Sequence, residues 1–249
     1  MLNIEIGAEK IVDFFGFPIN NGLILSWIVM AVLLLLAFLV YKNVKAVPGL
    51  LQNIFEIVVD GLLNAISGMF ENRKQAEKYF PVIATIFILV LVSNWMGILP
   101  GVGSIGFYEV HDGHEVLVPL LRSPGSDLNF TLALAIVTVL TINILGVAAI
   151  GFFKHFGKFI SFKNPIDFFV GILELISEVV KMVSFSFRLF GNVFAGEVML
   201  IIAAFFMPYL LPVPILMLEI FVGFIQALVF GMLAAVFISL SVNHGYGEH

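Results

Sequence analysis

The residues able to do chemistry in this chain stand where an apolar sequence should carry none. Glu174, Glu178, Lys181, Arg188 and Glu197, with Asp167 at the boundary, fall in one hydrophobic stretch, and Glu219 falls in the next. A charged side chain deep in a bilayer is expensive, so it faces a cavity or a partner and marks an ion path. Taking about 100° per residue, Glu174, Ser177, Glu178, Lys181, Ser184, Arg188 and Asn192 share one helix face, while Glu197 lies on the opposite face. Arg188 and Glu197 are also about 13 Å apart along the axis, too far for an intrahelical ion pair. No acid stands three or four residues from Arg188. Its guanidinium cannot shed its proton, so the sequence predicts an anion brought from elsewhere. Glu219 and Gln226, seven residues apart, form a second small polar stripe, with Gly223 between them permitting close approach of another backbone. Proton-accepting groups in an aqueous path are the expected role of Glu197 and Glu219, whereas Glu174, Glu178 and Lys181 could equally pair with one another and fasten two helices together.

The elements that must hold these groups are helices in a membrane. Of 249 residues, 61% are hydrophobic and 12% charged, against about 25% charged in an ordinary soluble domain, and the mean hydropathy is +1.10. Runs free of Asp, Glu, Lys and Arg cover 14–41, 79–108, 128–153, 198–218 and 220–247, each at least as long as the roughly 20 residues a membrane-crossing helix needs. A soluble enzyme, a secreted disulfide scaffold and a nucleic-acid binder are excluded. The chain has no cysteine, hence no thiol nucleophile or cysteine-ligated cluster. The pattern predicts an all-α polytopic membrane protein forming a single membrane domain, 1–249. Upright spans are expected at 22–41, 79–99 and 128–153. Residues 50–71 space Asn53, Glu56, Asp60, Asn64 and Ser67 as an amphipathic helix lying at the membrane surface or against a partner, not as a span. The stretches 166–207 and 213–243 are too long for upright crossings and are expected to be oblique helices. A hairpin in the first of them would have to turn near 184–192, where Gly191 is the sole turn residue, so one tilted helix is the better reading.

Basic residues near span ends stay in the cytoplasm. Lys42, Lys45, Arg73, Lys74 and Lys78 flank one connection, and Lys154, Lys158 and Lys163 follow the third span. The loop 100–127 between them is acidic, with Arg122 its single basic residue. The expected topology is an outside N-terminus and a cytoplasmic C-terminus, in a bacterial plasma (inner) membrane. Residues 1–21 are acidic and mixed, so the first span is expected to direct insertion. No internal repeat is found, which disfavours a stand-alone secondary transporter or channel binding an anion at Arg188. His111, His114 and Glu115 suggest an intramembrane hydrolase, but they lie in a Gly-rich loop and match no catalytic zinc pattern. No glycine-rich phosphate loop is present, and neither a cofactor nor a metal is expected.

The run RLFGNVFAGE, Arg188 to Glu197, resembles the signature of subunit a of F-type ATP synthases, the stationary channel subunit of the membrane sector. Further resemblance lies in SNWMGILPG (93–101), SPGSDLNFTLALA (123–135) and FVGFIQALVFGML (221–233), so it covers nearly all of the chain after residue 40. The resemblance implies that Arg188 is the arginine facing the carboxylate of a rotating c-ring, that Asn192 and Gln226 are its polar neighbours, and that Glu197 is an acid of the half-channel open to the outside. The family carries a titratable residue seven before the glutamine, histidine in some members; here it is Glu219, which leaves two acids on that side. Lys181, Ser184 and Glu174 stand where the family has lining residues of a half-channel. The partners implied are the c-ring, the peripheral-stalk b subunits, the rest of the F0F1 complex and the lipid, with no nucleic acid. The chain would not be an enzyme by itself. It would be a non-nucleotide-binding subunit of a proton-transporting two-sector ATP synthase.

Overall fold

A computed structural model describes residues 10–14, 17–42, 44–45, 49–103, 105–111, 114–157 and 165–243. Lys158 and Lys163 of the second basic connection and Asp112 of the acidic loop lie outside them. Two short strands, β1 (Lys10–Phe14) and β2 (Phe17–Asn20), pair antiparallel before α1 (Asn21–Lys42). Helices α2 (Leu50–Ser67) and α3 (Arg73–Gly97) follow. The acidic loop contains β3 (Pro100–Gly103) and an antiparallel hairpin of β4 (Gly106–His111) and β5 (His114–Pro119), then a single 3-10 turn at Pro124–Ser126. The chain closes with α4 (Leu128–Ile150), the short α5 (Phe152–Gly157), α6 (Pro165–Phe206) and α7 (Pro212–Asn243).

Five of these helices, α1, α3, α4, α6 and α7, are long and apolar enough to cross a membrane. In hydrocarbon every backbone amide must be bonded within its own segment, which is why the apolar runs are helical. The strands lie in the polar loop and near the chain start, a feature that the apolar periodicity did not signal. α4 begins where Asp127 caps it, its carboxylate accepting from the Asn129 amide at 2.9 Å. It stops at Ile150 instead of running to Phe153, because Gly151 takes φ 91° and turns the chain into α5. α6 is one uninterrupted helix of 42 residues, about 63 Å long. No turn forms near Gly191.

α7 is the hub, packed on α3 and α4, while α4 also lies against α6. Association in lipid cannot draw on the hydrophobic effect between helices, so it relies on close packing at small residues and a few polar bonds. Ala227, Gly231, Ala234 and Ala235 of α7 are buried, and Gly231 lies so close to Phe87 of α3 that an added Cβ would stand 3.4 Å from the Phe87 Cβ. The fully buried Phe230 meets Phe185 of α6 with ring centroids 4.5 Å apart. Polar bonds tie the same seams: Asn94 Nδ2 donates to the Gly223 carbonyl at 3.1 Å, Trp95 Nε1 to the Ile220 carbonyl at 3.1 Å, and Ser239 Oγ to the Met69 carbonyl at 2.7 Å. Thr131 and Ser186 share a buried hydroxyl–hydroxyl bond of 3.1 Å between α4 and α6. By contrast α6 leaves a long apolar flank open, including Ile176, Val180, Val183 and Phe187.

A tight small-residue contact away from the charged residues supplies a test. A Cβ on Gly146 of α4 would run into Ser241 Oγ of α7 and the His155 ring of α5. Gly146→Val is therefore expected to destabilise the fold by about 1–3 kcal/mol, read as a lower melting temperature of the detergent-purified protein.

Candidate functional site

The polar stripe on α6 divides into three environments. Arg188 lies at the edge of the open flank, beside the exposed Ser184, Gly191 and Ala195, while Phe185, Ser186 and Leu189 turn inward. Its Nη2 donates to Ser184 Oγ at 3.2 Å, one turn earlier. Among the described residues no carboxylate comes within ion-pair distance of it. The anion that the sequence calls for is not supplied by the described part of this fold.

Toward one end of the helix, a second cluster joins three elements. Lys181 Nζ donates to Glu178 Oε1 at 2.7 Å, and Asn143 Nδ2 of α4 donates to Glu178 Oε2 at 3.2 Å. His155 of α5, fully buried, bonds Asn143 Oδ1 at 2.9 Å through Nε2. The Lys181 ammonium also stands 4.9 Å from the centroid of the Phe237 ring of α7. Glu174 is half-buried one turn before Glu178. Lys181 is thus engaged in a satisfied ion pair, the arrangement in which such charges fasten helices.

Toward the other end, a cavity of about 140 Å³ opens between α6, α7, the end of α3 and the 3-10 turn. Asn192, Gly196 and Glu197 line it from α6, Glu219 and Gly223 from α7, Asn94 from α3 and Ser123 from the loop. Glu197 pairs with Arg122 at 3.5 Å. Arg122 Nε also donates to Ser126 Oγ at 3.2 Å, and Ser126 Oγ donates to the Ser123 carbonyl at 2.9 Å. The 3-10 turn can press on α6 because Gly125 has no side chain; a Cβ there would stand 2.8 Å from a Val193 methyl. Glu219 reaches across from α7 because Gly196 has none either, and any Cβ at Gly196 would collide with the Glu219 carboxylate. Glu219 Oε2 and Asn94 Oδ1 are buried without a hydrogen-bond partner among the described residues. Gln226, two turns along α7 from Glu219, is buried, with its Nε2 likewise unbonded. The cavity has room for water beside two carboxylates.

The family model described as ATP synthase A chain matches residues 23–239. The chain belongs to that family. Among its relatives, ATP synthase subunit a 3 of Pelobacter propionicus is 37% identical over 223 residues, spanning 89% of this chain and 87% of that protein. ATP synthase subunit a of Geotalea uraniireducens is 33% identical over the same shares of each chain, and that of Gloeobacter violaceus is 34% identical over 232 residues, 92% of this chain and 87% of its own. The chain is thus an ATP synthase A chain family member and a multi-pass membrane protein.

In this A chain family member the fold gathers Asn192, Glu197 and Glu219 around one cavity, leaves Arg188 and Ser184 on the open flank, and sets Lys181 in the other cluster. Sequence reasoning passed over Arg122, Ser126 and Asn94 as site residues, and Asn143 and His155 altogether. Arg122 did carry a signal, as the single basic residue of an acidic loop, and Asn94 another, as an amide at the end of an apolar helix. His111 and His114 are cross-strand partners at the tip of the β4–β5 hairpin.

The Lys181–Glu178 pair is mostly buried, with 18% and 12% of the side chains exposed. Breaking a buried pair from one side leaves a stranded charge and costs up to about 3–5 kcal/mol. Lys181→Met should lower the melting temperature, and adding Glu178→Gln should recover most of the loss, a coupling that a double-mutant cycle in detergent would measure.

Proposed function

We propose that this chain is the ion-translocating stator channel subunit of an F-type ATP synthase. The single observation that carries the reading is a contrast along α6: a carboxylate-lined cavity at one part of the helix and, elsewhere on it, Arg188 on an open apolar flank with no carboxylate of the described fold beside it. Membership of the ATP synthase A chain family supports the same assignment. The missing anion is then the carboxylate of a rotating c-ring seated against the α6 flank.

In this mechanism the cavity with Glu197, Glu219 and Asn192 belongs to the half-channel open to the outside, and Gln226 lies on the path from Glu219 toward the ring. Ser184, Lys181 and Glu174 belong to the half-channel leading to the cytoplasm. The two do not join, so an ion crosses only by riding the ring. Arg188 attracts each arriving ring carboxylate in its charged form, which sends the proton into the exit path. Its permanent charge also bars protons from leaking straight across. Each charge moved through the membrane potential yields about 2.3 kcal/mol per 100 mV, so several ions are needed per ATP.

The length of α6, about twice the roughly 30 Å hydrocarbon core, supports a strongly oblique course. An oblique helix follows the wall of a cylinder over a longer distance than an upright one. The ring, the peripheral-stalk b subunits and the remainder of the F0F1 complex are the partners. The N-terminus lies outside and the C-terminus in the cytoplasm, in a bacterial inner membrane. The chain carries no nucleotide chemistry of its own; ATP is made elsewhere in the complex.

The test is ATP-driven proton pumping, together with passive proton leak, in vesicles carrying the complete complex with Arg188→Ala. Pumping is expected to vanish while the subunits still co-purify. Pumping retained in an assembled complex would reduce Arg188 to a structural charge and sink the mechanism.

A further inference from the structure

The cavity holds two acids and one cation, and its geometry treats the acids differently. Glu197 is committed. It faces Arg122 at 3.5 Å, and Arg122 is itself fixed by Ser126, whose hydroxyl is anchored to the Ser123 carbonyl. Only 13% of the Arg122 side chain and 26% of the Glu197 side chain are exposed, so little water competes for this pair. A guanidinium keeps its proton at any accessible pH, so it stands as a permanent counter-charge to the carboxylate beside it. Glu219 is uncommitted. It lies against the bare backbone of Gly196, makes no ion pair with any described residue, and keeps a buried Oε2 that no described donor reaches. The other walls bring no further charge: α3 contributes the neutral Asn94, and Asp127 at the start of α4 is spent on the Asn129 amide.

We infer that Arg122 is a positioning residue that ties Glu197 down as a fixed counter-charge, leaving Glu219 as the group that carries the proton through the cavity. This deepens the proposed function and rests on it. A carrier needs an oxygen lone pair that can accept a proton and give it up again. A proton from water in the cavity binds a Glu219 oxygen and forms an O–H bond. That bond breaks as the proton is handed on toward Gln226 and the ring, and Glu219 returns to its starting form. Arg122 and Glu197 keep their protonation throughout and hold the cavity open to the incoming charge.

The experiment uses vesicles with the complete complex, and reads ATP-driven pumping as membrane potential, which a permeant weak acid does not collapse. Glu219→Ala is expected to lower pumping by about 100-fold, and added formate, a proton carrier small enough for the vacated space, should restore it severalfold. Glu197→Ala should also lower pumping, by removing the carboxylate that faces Arg122 in the cavity, but formate should not restore it. Arg122→Gln placed in the Glu219→Ala background should regain pumping without formate, because Glu197 is then free to carry; Arg122→Lys, which keeps the charge, should not. Formate rescue of Glu197→Ala, or of both single variants, would overturn the division of roles. So would failure of formate to rescue Glu219→Ala, or absence of the regain with Arg122→Gln in an assembled complex. Should that double variant fail to assemble, the formate comparison of the two glutamate variants still decides. If neither glutamate variant affects pumping, the ion-pathway reading itself fails, an outcome distinct from a wrong assignment of the carrier.

Discussion

A guanidinium that cannot lose its proton has to find an anion inside a slab of hydrocarbon, and among the described residues of this fold it finds only the hydroxyl of Ser184. Much else in the architecture is arranged around that incomplete charge. The helix that carries it buries one face, through Phe185, Ser186 and Leu189, and leaves the flank beside Arg188 uncovered. Other charges on α6 meet partners within the fold, Glu178 with Lys181 and Asn143, and Glu197 with Arg122. The asymmetry is informative: the described residues bring a carboxylate to Arg122 and none to Arg188.

Absence of side chains does much of the positioning. Gly196 lets Glu219 cross to α6, Gly125 lets the loop press against Val193, Gly223 lies against Asn94, and Gly146 makes room for Ser241 and His155. In lipid, where apolar side chains gain nothing by leaving their surroundings, such close approaches are the main source of helix–helix attraction. The same glycines therefore hold the bundle together and bring titratable groups from different helices within reach of one another. Stability and chemistry draw on one set of contacts at the cavity, because a bulkier residue at Gly196 would displace Glu219 and part α6 from α7 together.

Much of this was legible in the linear order of residues. The apolar runs predict the five long helices, since a backbone in hydrocarbon has few alternatives, and the spacing of polar residues at helical period sets Arg188 and Glu197 on opposite faces of α6. The absence of a turn signal between Ser184 and Asn192 other than Gly191 is matched by an unbroken helix. Less legible were the features that depend on contacts between distant segments. The hairpin of β4 and β5 lies in a loop without apolar alternation strong enough to announce it, and the end of α4 at Gly151 depends on one backbone angle.

Residue order alone dictates that this chain lives in a membrane, that its last two apolar segments are longer than an upright crossing needs, and that a few charges on them must be partnered or used, because burial costs and helical periodicity are local properties. Which charge meets which partner is a property of the folded chain. Arg122 and Glu197 are 75 positions apart, and Glu197 and Glu219 are carried by separate helices; their meeting in one cavity depends on the packing of α3, α6, α7 and the 3-10 turn. Nothing in their spacing distinguishes the two acids, whereas in three dimensions one is held by a guanidinium and the other is not.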